Sequence, residues 1–429
     1  MARFPRLLTI LLFAFLCSAV ALSIQRFPPP EFETDHVMPT TKEPAPRSQM
    51  LEMQNVAVLA TALSLASWLI LKKRSRKGIV ALMLFSLLYF GFWRKGCICS
   101  IGAIGNVTLA IFNAEYAVPW TVLAFFFLPM IFTLFFGRSF CAAVCPLGAI
   151  QDIVLLRPLR IPVWLETALR LIAWLYLFLA ILFATTASAF IICRYDPFVA
   201  FFRFNANPAL WVISIAMLVI AVFVGRPYCR FLCPYGLILR QLGRLSIFRV
   251  KITPDECIHC RLCEEACPFG AIDKPTVQWP DTEHARGRVR LLILFCLLPV
   301  FVAVGVWGGY HVHPKLAMSH PTVRLAQQVQ SQQTDSAEEI TDEVKAFYTS
   351  GQSLNELTST AGDTQKQFSV GAALTGGAVG LIAGFTLLMH SIFWKRSEYE
   401  AQRAGCVACG RCYNYCPQHR KWLSEKNGK

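Results

Sequence analysis

Cys257-Ile258-His259-Cys260-Arg261-Leu262-Cys263-Glu264-Glu265-Ala266-Cys267-Pro268 recurs, with the same spacing, as Cys406-Val407-Ala408-Cys409-Gly410-Arg411-Cys412-Tyr413-Asn414-Tyr415-Cys416-Pro417. Each run is C-x2-C-x2-C-x3-C-P, a known cubane-binding pattern. Three thiolates from one tight turn cap three irons of a 4Fe–4S cluster, and the fourth, redirected by the following proline, points elsewhere. In paired runs the fourth cysteine serves the partner cluster. Structural zinc prefers separated cysteine pairs around a tetrahedral ion, which this compact spacing suits poorly. The expected ligands are therefore Cys257, Cys260, Cys263 and Cys416 for one cluster and Cys406, Cys409, Cys412 and Cys267 for the other. If the runs stay apart, each quartet serves its own cluster.

The surrounding chain is 429 residues long, 55% hydrophobic and 16% charged. Globular chains are roughly 45–50% apolar and about 25% charged, so the balance points to a membrane. The +15 formal charge lies in short loops beside apolar runs and not in one patch, which speaks against a nucleic-acid partner and for membrane lipid. Seventeen cysteines in a chain this long do not make a small secreted disulfide scaffold.

A spanning helix needs about 20 apolar residues. Candidates are Leu7–Ile24, Val56–Leu71, Gly78–Trp93, Val118–Phe136, Val163–Thr186, Pro208–Val224, Leu291–Tyr310 and Val370–Phe393. The first also reads as a signal peptide, with Arg3 and Arg6 before it and Ala19-Val20-Ala21 as a cleavage site. The expected fold is an all-α polytopic membrane protein of about eight helices, carrying a small α+β two-cluster ferredoxin-like domain. Its segments are 1–25 (signal peptide or first helix), 26–54 (outer polar tether), 55–250 (membrane core) and 251–288 (first cluster half). Then follow 289–310 (helix), 311–368 (outer helical segment), 369–393 (helix) and 394–429 (second cluster half). With the N-terminus inside, the inner segments hold 28 Lys and Arg and the outer ones 11. The positive-inside rule then puts both quartets and the C-terminus in the cytoplasm. Ser336 and Glu339 resemble a capping box and Gly351 a stop signal, predicting a helix over 337–349.

Two further elements repeat: Gly137-Arg138-Ser139-Phe140-Cys141-Ala142-Ala143-Val144-Cys145-Pro146-Leu147-Gly148 and Gly225-Arg226-Pro227-Tyr228-Cys229-Arg230-Phe231-Leu232-Cys233-Pro234-Tyr235-Gly236. Each is a C-x3-C-P half-motif following a membrane helix at its inner edge. A residue before proline is pushed out of the helical region, so Cys145 and Cys233 should end turns, with Pro146 and Pro234 opening the next helices. Together the four thiols are enough for a further cluster or a mononuclear metal; redox-active or structural thiols are the alternatives. A degenerate copy, Arg94-Lys95-Gly96-Cys97-Ile98-Cys99-Ser100-Ile101-Gly102, is expected at the outer edge. Cys193, His311 and His313 are expected there too. Cys97, Cys99 and Cys193 would be free thiols, a disulfide or ligands of an outer metal. Cys17 and Cys296 lie in apolar helices and read as ordinary core or lipid-facing residues.

Two Gly-Arg-x-x-Cys-x3-Cys-Pro elements after membrane helices, with two ferredoxin quartets, resemble the membrane polyferredoxin family. This family includes the quinol-dehydrogenase membrane subunit of periplasmic nitrate reductase and the nitrous-oxide-reductase regulatory protein. The resemblance spans about residues 78–275 and 400–417. It implies a bacterial cytoplasmic-membrane protein passing electrons between a quinone pool, or a cytoplasmic donor, and a partner redox system. An assembly factor that reduces a metal or thiol in a metalloenzyme is the other reading. Two departures stand out. The second quartet is displaced behind an inserted pair of crossings. No Ser/Thr-Gly-Ala-Thr flavin attachment sequence occurs, Ser359-Thr360-Ala361-Gly362-Asp363-Thr364 being the nearest string, so no flavin is expected.

Overall fold

The apolar runs form helices because only intrahelical bonding satisfies the backbone where water is absent. The computed structural model describes residues 48–95, 99–114, 116–204, 206–253, 257–276, 281–334, 341–351, 353–392 and 395–427. Leu7–Ile24 with Cys17, most of the 26–54 tether, Cys97, and the Ser336 and Glu339 box lie outside these residues.

Five described helices are long and apolar enough to cross a membrane: Gln49–Lys73, Arg76–Trp93, Val163–Thr185, Gly287–Ala317 and Leu354–Ser391. Trp120–Phe136 and Pro208–Phe223 are shorter apolar helices, and each matches an expected crossing to within two residues. Ala103–Phe112 is a further short helix that the sequence reading did not separate from its loop. The first two helices form a hairpin because Arg74 turns left-handed (φ 51°) and the Ser75 side chain accepts the Gly78 N–H. Asn207 caps Pro208–Phe223 in the same way, through the Leu210 N–H.

The predicted helix over 337–349 is Asp342–Ser350 among the described residues, and Gly351 ends it at φ 72°. An additional helix, Pro321–Thr334, precedes it. The last crossing also begins earlier than its apolar run, at Leu354 rather than Val370. The reason is amphipathic. Leu357, Ala361 and Phe368 recur on one face and bury against Val323, Val329, Val344 and Phe347, in a core shared with Leu182 and Phe183.

The two late helices, Asp281–Ala317 and Leu354–Ser391, pack backbone to backbone. A Cβ on Gly305 would lie 2.2 Å from the Gly376 carbonyl oxygen, and one on Gly380 2.2 Å from that of Phe301. Gly305-x3-Gly309 against Gly376-x3-Gly380 is the small-residue spacing by which membrane helices approach closely. The hairpin touches the remaining bundle through Gly371, seated on Leu182, and through Phe183 against Phe368. Cys296 is exposed on its outer surface, as expected of a lipid-facing residue. His311 and His313 pack on Trp307 and Tyr310 of their own helix.

Gly305→Leu should therefore destabilise the hairpin by roughly 1–3 kcal/mol through overpacking, read as a lower thermal midpoint in detergent. Gly308→Leu, where a Cβ meets nothing within 4 Å, should leave the midpoint unchanged. Equal effects of the two would refute this packing.

Candidate iron–sulfur centres

The two quartets meet although Cys267 and Cys406 are far apart in sequence. Strand β1 (Ile272–Asp273) pairs antiparallel with β2 (Glu400–Ala401), Ile272 opposite Ala401 and Asp273 opposite Glu400. Arg396 bonds Asp273 at 2.7 Å and Gln402 Nε2 donates to the same carboxylate at 2.8 Å. The loops are copies of one backbone. His259 (φ 53°) and Arg261 (φ 64°) are left-handed in the first, and Ala408 (φ 56°) and Gly410 (φ 76°) at the same positions in the second. Three of these four have a Cβ, and such residues seldom hold positive φ without a functional cause. The curl faces the thiols inward. Cys257, Cys260, Cys263 and Cys416 line one small cavity. On the other side, Cys412 lies within electrostatic reach of Cys406, Cys409 and Cys267. This is the exchanged arrangement, with the fourth cysteine of each run turned to the other loop.

Cys416 owes its direction to Pro417. It sits extended at φ −74°, ψ 120° and Pro417 opens a helix. The half-motifs repeat that turn: Cys145 at φ −74°, ψ 115° before Pro146–Ile153, and Cys233 at φ −63°, ψ 112° before Pro234–Arg244. Both cysteines end turns, as the proline rule requires.

Their depth differs from the expectation that half-motifs lie at the inner edge of the bundle. After Phe136 the chain re-enters it. The Tyr235 hydroxyl donates to the Phe126 carbonyl at 2.7 Å, whereas the Phe248 N–H reaches the carbonyl of Phe135 at 2.8 Å. Nine residues at 1.5 Å each put Tyr235 roughly 13 Å inside the end of the Trp120–Phe136 helix. Ser100 donates to the Phe125 carbonyl at 2.9 Å, so the degenerate copy dips to nearly the same level from the other end. Cys99 and Cys145 line one small cavity. Cys99 and Cys193 are free thiols.

The half-motifs come together at their sulfurs. The Cys145 and Cys229 side chains lie within reach of each other. Gln151 Nε2 donates to Cys229 Sγ (3.4 Å), the Gly236 N–H to Cys233 Sγ (3.2 Å) and Arg138 to Cys141 Sγ (3.7 Å). A Cβ on Gly236 would sit 3.0 Å from the Cys229 carbonyl and 3.4 Å from Cys233 Sγ, which is why the C-P-x-G tail ends in glycine. Beside Cys229 and Cys233, a narrow pocket is faced by Arg138, Arg170, Arg226, Arg230 and Arg240. Glu166 pairs with Arg170 and, at 2.7 Å, with Arg230. Arg138 and Arg240 have no ion pair among the described residues, and burial with Arg170 and Arg138 pushes the Arg240 guanidinium well down. Excess buried cationic charge beside four thiols suits an anionic group, as a thiolate-ligated cubane is. No three Cys, His, Asp or Glu side chains among the described residues converge on a single-ion site.

The sequence reading overlooked Arg138, Arg226, Gln151 and Asp152, although the repeated Gly-Arg pair signalled the first two. Arg226 is 1% exposed and donates to the Cys141 and Ala142 carbonyls. Asp152 is buried and pairs with Arg76 (3.0 Å), Arg411 (3.4 Å) and Arg226 (3.6 Å). Burial by itself would raise its carboxyl, but Arg226, Arg411 and Arg76 outweigh burial and hold it below the usual carboxylate range. A native pKa below the unfolded one contributes stability above about pH 4 that is lost as pH falls through the lowered native value. Asp152→Asn should cost about 3–5 kcal/mol by leaving buried guanidiniums uncompensated. The expected readout is a lower urea midpoint for loss of cluster absorbance, and an unchanged midpoint would overturn this role.

Residues 118–163 and 206–253, which contain the half-motifs, match a family described as 4Fe-4S binding domain, and residues 250–273 match a second family of the same description. The chain is 35% identical over 154 residues to Protein NirI of Paracoccus denitrificans, covering 33% of this chain and 22% of that protein. It is 28% identical over 242 residues to Regulatory protein NosR of Pseudomonas aeruginosa (51% of this chain, 31% of that one). The methylamine utilization ferredoxin-type protein MauN of Paracoccus denitrificans is 27% identical over 148 residues (33% and 52%). The chain thus matches about half or less of each of these relatives. No solved structure matches. With its apolar helices, its half-motifs and its paired quartets, the chain is similar to ferredoxin-type membrane proteins, the membrane polyferredoxins.

Proposed function

We propose that the protein relays electrons across the membrane through three iron–sulfur centres: two in the paired quartets on the cytoplasmic face, and a third held by Cys141, Cys145, Cys229 and Cys233 inside the bundle. When bound, each cluster supplies one-electron redox chemistry. The residues of the chain hold it, exclude water and set its electrostatics. Arg138 joins the inner pair of sites, donating to Cys141 Sγ and, at 3.4 Å, to the Ala404 carbonyl just before Cys406. The Gln151 and Gly236 N–H bonds to sulfur favour the reduced, more negative state and so raise the potential.

The observation that carries this reading is the contact of Cys145 with Cys229 at the bundle interior. A hydrocarbon core is about 30 Å thick, and a centre at that depth divides the distance. The loop charges support the cytoplasmic placement of the quartets, and the relatives support a partner redox system as electron acceptor or donor. Quinone is one such carrier. An assembly factor would use the same centres but would not co-purify in fixed ratio with an oxidoreductase.

EPR with iron and sulfide determination on purified protein tests the relay. Three reducible signals are expected. Cys141→Ser with Cys229→Ser should remove one and leave the quartet signals intact. Iron content unchanged in that variant would sink the third centre. Cys416→Ser should perturb the same signal as Cys257→Ser, and perturbation of the Cys406 signal instead would refute the ligand exchange.

A further inference from the structure

We propose that Cys99 and Cys193 form a redox-active dithiol–disulfide pair through which electrons from the half-motif centre reach disulfides of a partner protein on the side opposite the quartets; this rests on the relay reading above. The two cysteines come from separate segments, the loop before Ala103–Phe112 and the short helix Ile191–Tyr195, yet they converge on Gly102. A Cβ there would lie 3.3 Å from Cys193 Sγ and 3.9 Å from Cys99 Cβ. The missing side chain leaves room for Cys193 Sγ, with Cys99 at ordinary contact distance on the same glycine.

Their surroundings divide the labour of thiol exchange. Cys193 is exposed and can meet an incoming disulfide. Cys99 is half-buried and lines the cavity it shares with Cys145 of the first half-motif. Asp196, 3% exposed, lies within electrostatic reach of both thiols, and its Oδ1 is oriented by the Phe198 N–H at 3.0 Å. Tyr228 and Arg203 are the groups that favour its charged form, and a carboxylate buried in a membrane bundle is rare and marks function. Here it can accept a thiol proton and return it.

The chemistry balances. Cys193 sulfur, giving its proton to Asp196, attacks the partner disulfide, and one partner sulfur leaves as thiol. Cys99 sulfur then attacks the mixed disulfide, releasing the second partner thiol and forming the Cys99–Cys193 bond. Two electrons arriving singly from the half-motif centre, with two protons, break that bond and restore both thiols. The net result is one partner disulfide reduced to two thiols.

The test uses the full-length protein in nanodiscs, alkylated and analysed by peptide mass spectrometry, with EPR on the same samples. After oxidation a Cys99–Cys193 linked peptide is expected, replaced by two alkylated cysteines after dithionite treatment. In the Cys141→Ser, Cys229→Ser variant, opening of the link by dithionite should be lost while opening by dithiothreitol is retained. Equal alkylation of both cysteines before and after reduction would overturn the proposal. So would a link that maps to Cys97, or one that persists while the clusters reduce. Absence of a half-motif EPR signal, with a link that still opens under dithionite, would refute the relay route while sustaining the pair.

Discussion

Asp152 sits in the bundle with no solvent exposure, and three guanidiniums from three distant parts of the chain close on it. A lone buried carboxylate would cost several kcal/mol. Paired with Arg76 of the first hairpin turn, Arg226 of the second half-motif and Arg411 of the second quartet, it becomes the charge around which membrane helices, half-motifs and cluster loops are assembled. Arg76 also donates to the Cys409 carbonyl at 2.7 Å, so the ion pair and the cluster loop share one guanidinium. A domain carried by a sheet of two residues per strand owes its position to these contacts more than to its ladder. Glu264 repeats the device for the first quartet, taking Lys274 at 2.9 Å and Arg160 at 3.4 Å.

The same economy explains how irregular chain survives inside a membrane bundle. The segments before Cys145 and Cys233 end in extended residues, and their carbonyls have lost helical partners. Non-helical backbone at membrane depth is tolerated only where protein satisfies it. Arg226 meets the Cys141 and Ala142 carbonyls, and Gln151 Oε1 accepts the Tyr228 N–H at 3.1 Å while its Nε2 reaches Cys229. Each half-motif is thus completed by the other, which is why the two occur together. The cationic surplus that this leaves around Arg138 and Arg240 is a liability in an empty bundle and an asset beside an anionic centre.

Between the quartets comes the late hairpin. Its glycines let the two helices zip along their length, and it packs on Val163–Thr185 through Gly371 on Leu182 and Phe368 on Phe183. Because it leaves the face that bears the quartets and returns to it, the second quartet is delivered back to the first. The small core beneath Val323, Val344 and Phe347 closes the far end.

Local chemistry determined much of this. The cysteine spacing marked the cluster loops, the apolar runs marked the helices, and the prolines predicted the turns at Cys145, Cys233 and Cys416, because these features depend on neighbours in the chain. Helix ends set by amphipathic packing, as at Leu354, were less legible. Tertiary structure alone decided that Cys145 meets Cys229, that the half-motifs and Cys99 sink to one level, and that Cys99 lies beside Cys193. Those outcomes depend on how far each re-entrant segment descends, and that depth is set by contacts such as Tyr235 with Phe126 and Ser100 with Phe125, between residues no local pattern connects.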